Sequence, residues 1–320
     1  MQSIRYRWII TFSFIWSWLV ITLGAFTRLT DSGLSCPDWP GCYGKLYVGN
    51  VDSLLANFRI WAEMVHRYAA GVLTLSILLT LWVVYVNRDR VRPLQWFFAA
   101  ILGLLLLYQP ILGMWTVTLK LHPSIVSQHL LSGMSLMVLI AVQRLYFSDR
   151  ACLPDPGSTL RWMGVVALVL LYLQLLLGAW TSTNYAALSC DGFPFCHAPH
   201  WDYQFKEAFN FFQPLTQDYS GGVISENARR TIQVVHRFGA LVVGLWLCCW
   251  ATAVMLSTKF SKLIINALLV LALVLTQVVL GIAIVYFAHP LGIAIFHTLS
   301  ASALLLAVVA LNFRLWRRPE

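Results

Sequence analysis

One segment decides the fold class: residues 61–86 read WAEMVHRYAAGVLTLSILLTLWVVYV. The segment is long and apolar enough to cross a membrane, because a helix needs about 20 apolar residues to span the hydrocarbon core. Glu63, His66 and Arg67 nevertheless lie within its first two turns. Ionisable residues are costly inside a bilayer and by default indicate a functional site. The segment therefore predicts a membrane helix with chemistry near one end.

Similar apolar segments recur along the whole chain. Of 320 residues, 59% are hydrophobic and 11% are charged, and the mean hydropathy is +0.72. A soluble domain would be about 25% charged. Including the first segment, the apolar runs lie at about 8–27, 60–86, 94–118, 124–147, 160–181, 231–256, 262–287 and 291–314. They predict an all-α membrane protein with eight transmembrane helices and two long loops, at 28–59 and 182–230.

The basic residues indicate how these helices are oriented. If the N-terminus is cytoplasmic, 13 of the 22 Lys and Arg residues lie on the inner side: Arg5, Arg7, Arg88, Arg90, Arg92, Arg144, Arg150, Arg161, Lys259, Lys262, Arg314, Arg317 and Arg318. Only four acids join them: Asp89, Asp149, Asp155 and Glu320. This bias follows the positive-inside rule. It predicts cytoplasmic termini and outward-facing long loops, and it explains the net charge of +9 without a nucleic-acid partner.

The chain contains two copies of one unit. GAFTRLTDSGLSCPDWPGC begins at Gly24, and GAWTSTNYAALSCDGFPFC begins at Gly178. Further matches follow in the same order: VHR at 65–67 and 235–237, QPILG at 109–113 and QVVLG at 277–281, and His129 with His297. The pattern predicts two tandem four-helix bundles, 1–150 and 151–320, in a parallel repeat about an axis along the membrane normal. The second outer loop carries an insertion near 200–225.

Four histidines fall at matching places in the two copies, near the outer ends of their helices: His66, His129, His236 and His297. A single such histidine is as well explained by core packing. Paired imidazoles from facing helices are typical of haem, which takes one ligand on each side of the iron. A zinc site would usually add a third protein ligand. We therefore expect one haem site on each histidine pair. The other histidines, His122, His197, His200 and His289, are interpreted as loop or interface residues.

The two predicted sites differ in one residue. Glu63 precedes His66 by three positions, and Gln233 precedes His236 by the same spacing. Residues at i and i+3 share a helix face, so Glu63 could move protons or stabilise positive charge beside His66. The alternative is that Glu63 only pairs with Arg67. Arg67 and Arg237 themselves either bind haem propionates or extend to the membrane interface.

The cysteines of the outer loops form two pairs with C-x5-C spacing, Cys36 with Cys42 and Cys190 with Cys196. On an oxidising outer face such pairs indicate disulfides. Zinc is the alternative, although its cysteine ligands are usually spaced more closely.

An ordered set of motifs covers nearly the whole chain: GAFTRLTDSGLSC, EMVHR, QPILG…HPSIVSQHL, LGAWTSTN…C…PFC, VHRFGALVVG and QVVLGIAIV…H. Together they resemble the haem A synthase family of cytochrome oxidase assembly. The resemblance implies an oxidoreductase that acts on a CH3 group, oxidising the C8 methyl of haem O to a formyl group and giving haem A.

The resemblance also implies a role for each half and its residues. Substrate haem O would lie between His66 and His129 in the N-terminal half. His236 and His297 would ligate the iron of a haem B cofactor in the C-terminal half. Glu63 matches the functional acid of the family, and the cysteine pairs match the forms of the family that have them.

Partners and location follow from the same interpretation. The expected partners are haem O, the lipid bilayer, a haem O synthase and a quinone or other electron acceptor, with self-association left open. The expected location is a bacterial inner membrane, with both haem sites toward the periplasm. The residues alone also allow a di-haem b-type electron carrier, which does not explain why Glu63 has no counterpart. They also allow a haem transporter, which predicts labile, chemically unchanged haem in both halves.

Overall fold

The fold is known from a computed structural model that describes residues 2–47, 54–91, 93–148, 157–190, 192, 196 and 202–317. Several residues used in the topology and loop predictions lie outside the described residues: Arg92, Asp149, Arg150, Asp155, His197, His200, Arg318 and Glu320. The side chains of Arg5 and Arg90 also lie outside them.

Eight long helices account for most of the described chain: α1 (Gln2–Leu29), α2 (Leu54–Val86), α3 (Pro93–Thr118), α4 (Pro123–Ser148), α5 (Ser158–Thr183), α7 (Glu226–Ser257), α8 (Ser261–Tyr286) and α9 (Leu291–Trp316). A single-turn helix, α6 (Phe205–Ala208), lies in the second long loop, and a 3-10 turn (Arg88–Arg90) follows α2. All eight long helices contain a segment long and apolar enough to cross a membrane. The predicted all-α membrane fold with eight spanning helices is confirmed.

Three helices, α1, α2 and α7, begin more than a turn before the predicted apolar runs. Helix α7 starts at Glu226, where the Ser225 hydroxyl caps it by accepting the Ala228 N–H at 3.3 Å. A side-chain oxygen at this position satisfies one of the free N–H groups of the first turn. Helix α2 starts at Leu54, so His66 lies about three turns inside it. Hydropathy finds the apolar part of such a helix and misses its polar first turns.

The described helices pack as two four-helix units. The first comprises Met1–Asp149 together with Phe212–Ser220, and the second comprises Arg150–Phe211 together with Gly221–Glu320. In the first unit α1 packs on α2 and α4, α3 packs on α4, and α2 contacts α3 only sparsely. In the second unit the corresponding ring is α5, α7, α8 and α9, and its α7–α8 contact is well formed. The repeat axis and the orientation of the termini stay predictions.

The loop near 200–225, which carries no clear motif, makes hydrogen bonds in both units. Residues Phe212–Ser220 belong to the first unit, and the described residues on either side belong to the second. In the second unit Trp180 of α5 donates its indole N–H to the Ala208 carbonyl of α6 at 2.7 Å. In the first unit the Tyr219 N–H donates to the Lys120 carbonyl at 3.1 Å. The ring nitrogen Nε2 of His122 lies 3.1 Å from the Gln213 carbonyl. His122 is thus an anchor for Phe212–Ser220.

Candidate functional site

The structure brings together each predicted pair of histidines. His66 on α2 and His129 on α4 lie close enough to influence each other electrostatically. His236 on α7 and His297 on α9 do the same in the second unit. Each pair comes from two different helices of one bundle, which is the arrangement that two axial ligands require.

Each of the four imidazoles packs against a glycine on a neighbouring helix. A Cβ atom built at that glycine would lie 3.0 to 3.5 Å from Cε1 of the imidazole: Gly24 with His66, Gly113 with His129, Gly178 with His236, and Gly281 with His297. Carbon atoms prefer separations of about 3.5 to 4.0 Å, so a side chain at Gly24 or Gly178 would press on its ring, whereas one at Gly113 or Gly281 would make an ordinary contact. The glycines belong to the repeated G-A-aromatic-T and Q-x-x-L-G motifs, whose role the sequence did not reveal.

Glutamine amides hold three of the four histidine backbones. The donor is the side-chain Nε2, the acceptor is the histidine carbonyl, and each distance is 3.0 Å: Gln109 with His129, Gln174 with His236, and Gln277 with His297. Ser132 and Ser300 bond to the amides of Gln109 and Gln277, respectively. These bonds join neighbouring helices at the depth of the predicted ligands.

This arrangement fits haem better than a metal held by protein alone. Among the described residues there is no group of three or more His, Cys, Asp or Glu side chains that could hold a metal ion. Zinc usually needs that many protein ligands, whereas a porphyrin supplies four nitrogens and leaves only axial positions to the protein. A glycine also lies against each imidazole, most closely at Gly24 and Gly178.

Among the described residues, the buried carboxylate one turn from a predicted histidine ligand is that of Glu63, in the first unit. Glu63 is 3% exposed; its Oε2 accepts the Cys36 N–H at 2.9 Å, and its Oε1 accepts from Nη2 of Arg67 at 2.5 Å. The pairing considered as an alternative therefore exists, one turn from His66. Its counterpart Gln233 instead donates to the Ala187 carbonyl at 3.1 Å.

Both arginines bond to carbonyl groups of the cysteine-containing loops. Nη1 of Arg67 donates to the carbonyls of Asp38 at 2.8 Å and Gly41 at 2.5 Å. Arg237 donates to the carbonyls of Gly192 at 2.5 Å and Cys190 at 3.0 Å. Sequence spacing could not reveal these partners, because the acceptors are main-chain atoms of an irregular loop. Each arginine fastens its loop to the helix that carries a predicted ligand.

The cysteine pairs lie at disulfide distance, as predicted. The Cα atoms are 4.8 Å apart for Cys36–Cys42 and 4.9 Å apart for Cys190–Cys196. Within the first loop the Asp38 carboxylate accepts the N–H groups of Tyr43 at 2.6 Å and Gly44 at 2.7 Å. The bond from Gly44 is the largest cause that lowers the pKa of Asp38 below its usual value, and the Arg67 charge adds to it.

The fold and the sites define a class: helical multi-span membrane proteins with two histidine pairs, each pair inside a four-helix unit. The family model described as cytochrome oxidase assembly protein, COX15-CtaA, matches residues 7–309. The chain belongs to this family, which confirms the resemblance seen in the motifs.

Relatives extend over almost the whole chain. It is similar to a heme A synthase from Shewanella oneidensis, with 38% identity over 98% of this chain and 97% of the relative. It is also similar to heme A synthases from Lysinibacillus sphaericus, with 25% identity over 95% of this chain and 93% of the relative, and from Caulobacter vibrioides, with 26% identity over 94% and 92%.

Proposed function

We propose that the chain is a haem A synthase, an oxidoreductase that converts the C8 methyl group of haem O to a formyl group for cytochrome oxidase assembly. Family membership and the names of the relatives support this reaction. One observation carries the proposal for the site: two histidine pairs share one architecture, but only His66 has a buried carboxylate, Glu63, one turn away. Two static haem sites would not need this difference.

We assign the substrate to the first unit and a cofactor to the second. Haem O would lie between His66 and His129, and His236 and His297 would hold haem B. The iron of a bound haem supplies one-electron redox chemistry at either place. The protein supplies the imidazoles and seats them on Gly24, Gly113, Gly178 and Gly281.

Glu63 is the proposed catalytic acid–base residue. With water as the oxygen source, conversion of a methyl to a formyl group (CH3 + H2O to CHO) would release four protons and four electrons, the electrons passing to the acceptor. A proton acceptor beside the substrate would therefore speed the reaction. The Arg67 guanidinium and the Cys36 N–H hold the carboxylate in one orientation. Cys36 lies in the first cysteine loop, and Arg67 donates to main-chain carbonyls of the same loop. This loop would therefore position the catalytic carboxylate.

The remaining assignments rest on the family and on the charge bias of the sequence. Haem O would come from a haem O synthase, and the electrons would leave through the second unit to a quinone or another acceptor. We place the protein in a bacterial inner membrane with both termini in the cytoplasm and both sites toward the periplasm, following the positive-inside rule. Self-association would not change these roles.

Haem analysis tests the proposal directly. The chain is co-expressed with a haem O synthase, purified, and its haem is extracted and identified by mass spectrometry. The wild type is expected to yield haem B together with haem A or hydroxylated haem O, and Glu63→Gln is expected to yield haem B with unmodified haem O. His236→Ala should remove one low-spin b-type signal. Haem B alone from the wild type, despite ample haem O, would instead support an electron carrier.

A further inference from the structure

One of the four histidines lacks the glutamine contact that the other three share. The main-chain carbonyls of His129, His236 and His297 each accept a glutamine N–H. No described side chain donates to the His66 carbonyl in this way. Nδ1 of His66 makes no hydrogen bond with a described residue, and the same holds for Nδ1 of His129 and His297, so His236 alone has both its carbonyl and its ring in contact with a glutamine.

Val20 occupies the position that corresponds to Gln174. Val20 lies four residues before Gly24 in α1, and Gln174 lies four residues before Gly178 in α5. Residues at i and i+4 share a helix face, so both side chains lie on the face that seats the histidine of the neighbouring helix. The two copies therefore differ at the residue one turn before the glycine that contacts the histidine. This residue is Val20 in the first copy and Gln174 in the second.

Gln174 holds both the backbone and the ring of His236. Its Nε2 lies 3.0 Å from the His236 carbonyl and 3.0 Å from Nδ1, while its Oε1 is buried without a partner. A metal-bound histidine usually gives its second ring N–H to an acceptor that fixes the ring. When Nε2 of His236 binds iron, Nδ1 carries a proton, and rotation of the Gln174 amide would let Oε1 accept a hydrogen bond from it. The rotated amide gives up its bond to the His236 carbonyl, so it fixes the ring in place of the backbone.

A second residue makes room for this glutamine. A Cβ atom at Gly239, three residues after His236, would collide with Oε1 of Gln174. The corresponding residue, three after His66, is Ala69. The second copy thus combines a long polar side chain, Gln174, with a glycine that leaves room for it, Gly239. The first copy has Val20 and Ala69 at the same two positions, so it has no polar side chain there and no glycine.

The helix that carries His66 also packs loosely against one of its two neighbours, although its contact with α1 is extensive. Helix α2 contacts α3 only sparsely, whereas the corresponding helices α7 and α8 are in close contact. Bonds and packing therefore agree that His66 is held less firmly than His236.

We infer that Gln174, accommodated by Gly239, is a positioning residue that makes His236 a permanent haem ligand, and that Val20 and Ala69 leave His66 as the displaceable ligand of an exchangeable haem. This inference rests on the proposed function, in which a substrate must arrive and a product must leave the first unit while the second unit keeps its cofactor. In this inference, the two sites retain haem differently because they differ at two corresponding positions, Gln174 and Gly239 in the second unit and Val20 and Ala69 in the first.

The rate of haem loss tests this inference without measuring synthase activity. Purified holoprotein is mixed with excess apomyoglobin, and haem transfer is followed by absorbance. Gln174→Met keeps the side-chain length and removes both bonds, so haem should leave the second site about 10- to 100-fold faster. The low-spin resonance of that site in electron paramagnetic resonance should broaden or shift. The transplanted pair Gln174→Val with Gly239→Ala should give the same result.

The reciprocal transplant is the stricter test. Val20→Gln with Ala69→Gly should slow haem loss from the first site by a similar factor of about 10 to 100. Matched controls alter a neighbouring polar residue whose hydroxyl bonds only within its own helix. They are Thr181→Val in α5 and Thr22→Val in α1, and both should release haem at the wild-type rates.

The outcomes separate this inference from the proposed function. Wild-type haem loss and an unchanged resonance in Gln174→Met would overturn the positioning role, even if His236→Ala still removes the retained haem. Retained haem that survives His236→Ala but is lost from His66→Ala would overturn the assignment of cofactor and substrate sites. If Gln174→Met does not assemble, haem loss from the reciprocal variant at the wild-type rate would still refute the inference.

Discussion

Replacement of Glu63 by Gln separates a catalytic carboxylate from a structural one. The amide has the size of the carboxylate and can still accept hydrogen bonds through its oxygen, but it cannot accept a proton from the substrate. We expect the variant to fold and to bind haem while product formation is lost. The assay measures the fraction of extracted haem that is oxidised at the methyl, together with the thermal unfolding temperature in detergent.

The two expected effects differ in size. Glu63 accepts two hydrogen bonds, from Cys36 and Arg67. Glutamine keeps one acceptor oxygen and places an NH2 group opposite the other donor, so one of the two bonds is lost and the other becomes neutral. A bond to a charged group is worth about 1.5–3 kcal/mol and a neutral one about 0.5–1.5, so the change should cost about 2–3 kcal/mol of stability. Loss of a positioned proton acceptor lowers rates by about 10²- to 10⁴-fold, which is about 3–5 kcal/mol in the barrier. The loss of activity should therefore exceed the loss of stability.

A matched control measures the structural part alone. Glu207 also accepts two hydrogen bonds, from the N–H and hydroxyl of Ser225, but it lies in the second long loop. Glu207→Gln should lower stability slightly and leave the haem product unchanged. If Glu63→Gln still forms product within about threefold of the wild type, or if Glu207→Gln loses as much activity, the catalytic role of Glu63 is wrong.

Three further predictions test the surroundings of the sites. Gly24→Ala places a Cβ atom 3.0 Å from the His66 ring and should lower haem occupancy in the first unit, whereas Gly281→Ala, with its contact at 3.5 Å, should keep the second haem spectrum. Because the pKa of Asp38 lies below 3.8 in the folded protein, its carboxylate stabilises the first cysteine loop above about pH 4 and loses this effect as the pH falls through the lowered pKa. Reduction of the loop disulfide by a phosphine, followed by mass spectrometry, should therefore accelerate in acid, and Asp38→Asn should be fast at every pH. His122→Ala removes one hydrogen bond, to the Gln213 carbonyl, and should increase proteolysis of Phe212–Ser220 about fivefold; equal cleavage of wild type and variant would contradict the anchoring role.

Composition predicted the membrane helices well, because their length is set by the thickness of the bilayer. The predicted run at 291–314 corresponds to α9, Leu291–Trp316. The polar start of α7 was missed, because the capping residue Ser225 extends this helix beyond its apolar part. The start of α2 at Leu54 was missed as well. The assignment of Phe212–Ser220 to the first unit depends on contacts with distant residues, which hydropathy does not record.

The site was predictable in its residue types and not in its contacts. Repetition identified His66 and His236, and the unmatched Glu63 followed from comparing the copies. The glycines that contact the histidines, and Gln109 with Gln277, appeared in the sequence only as repeated residues. Their contacts could not be predicted, because these depend on which helices are neighbours. The loop carbonyls that bind Arg67 could not be predicted, since main-chain acceptors leave no trace in residue identity.

The most direct measurement is mass spectrometry of haem extracted from the purified wild type, co-expressed with a haem O synthase, alongside the reduced-minus-oxidised spectrum. The account predicts haem B together with haem A or hydroxylated haem O. Two molecules of haem B per chain, with no oxidised haem when haem O is plentiful, would contradict it.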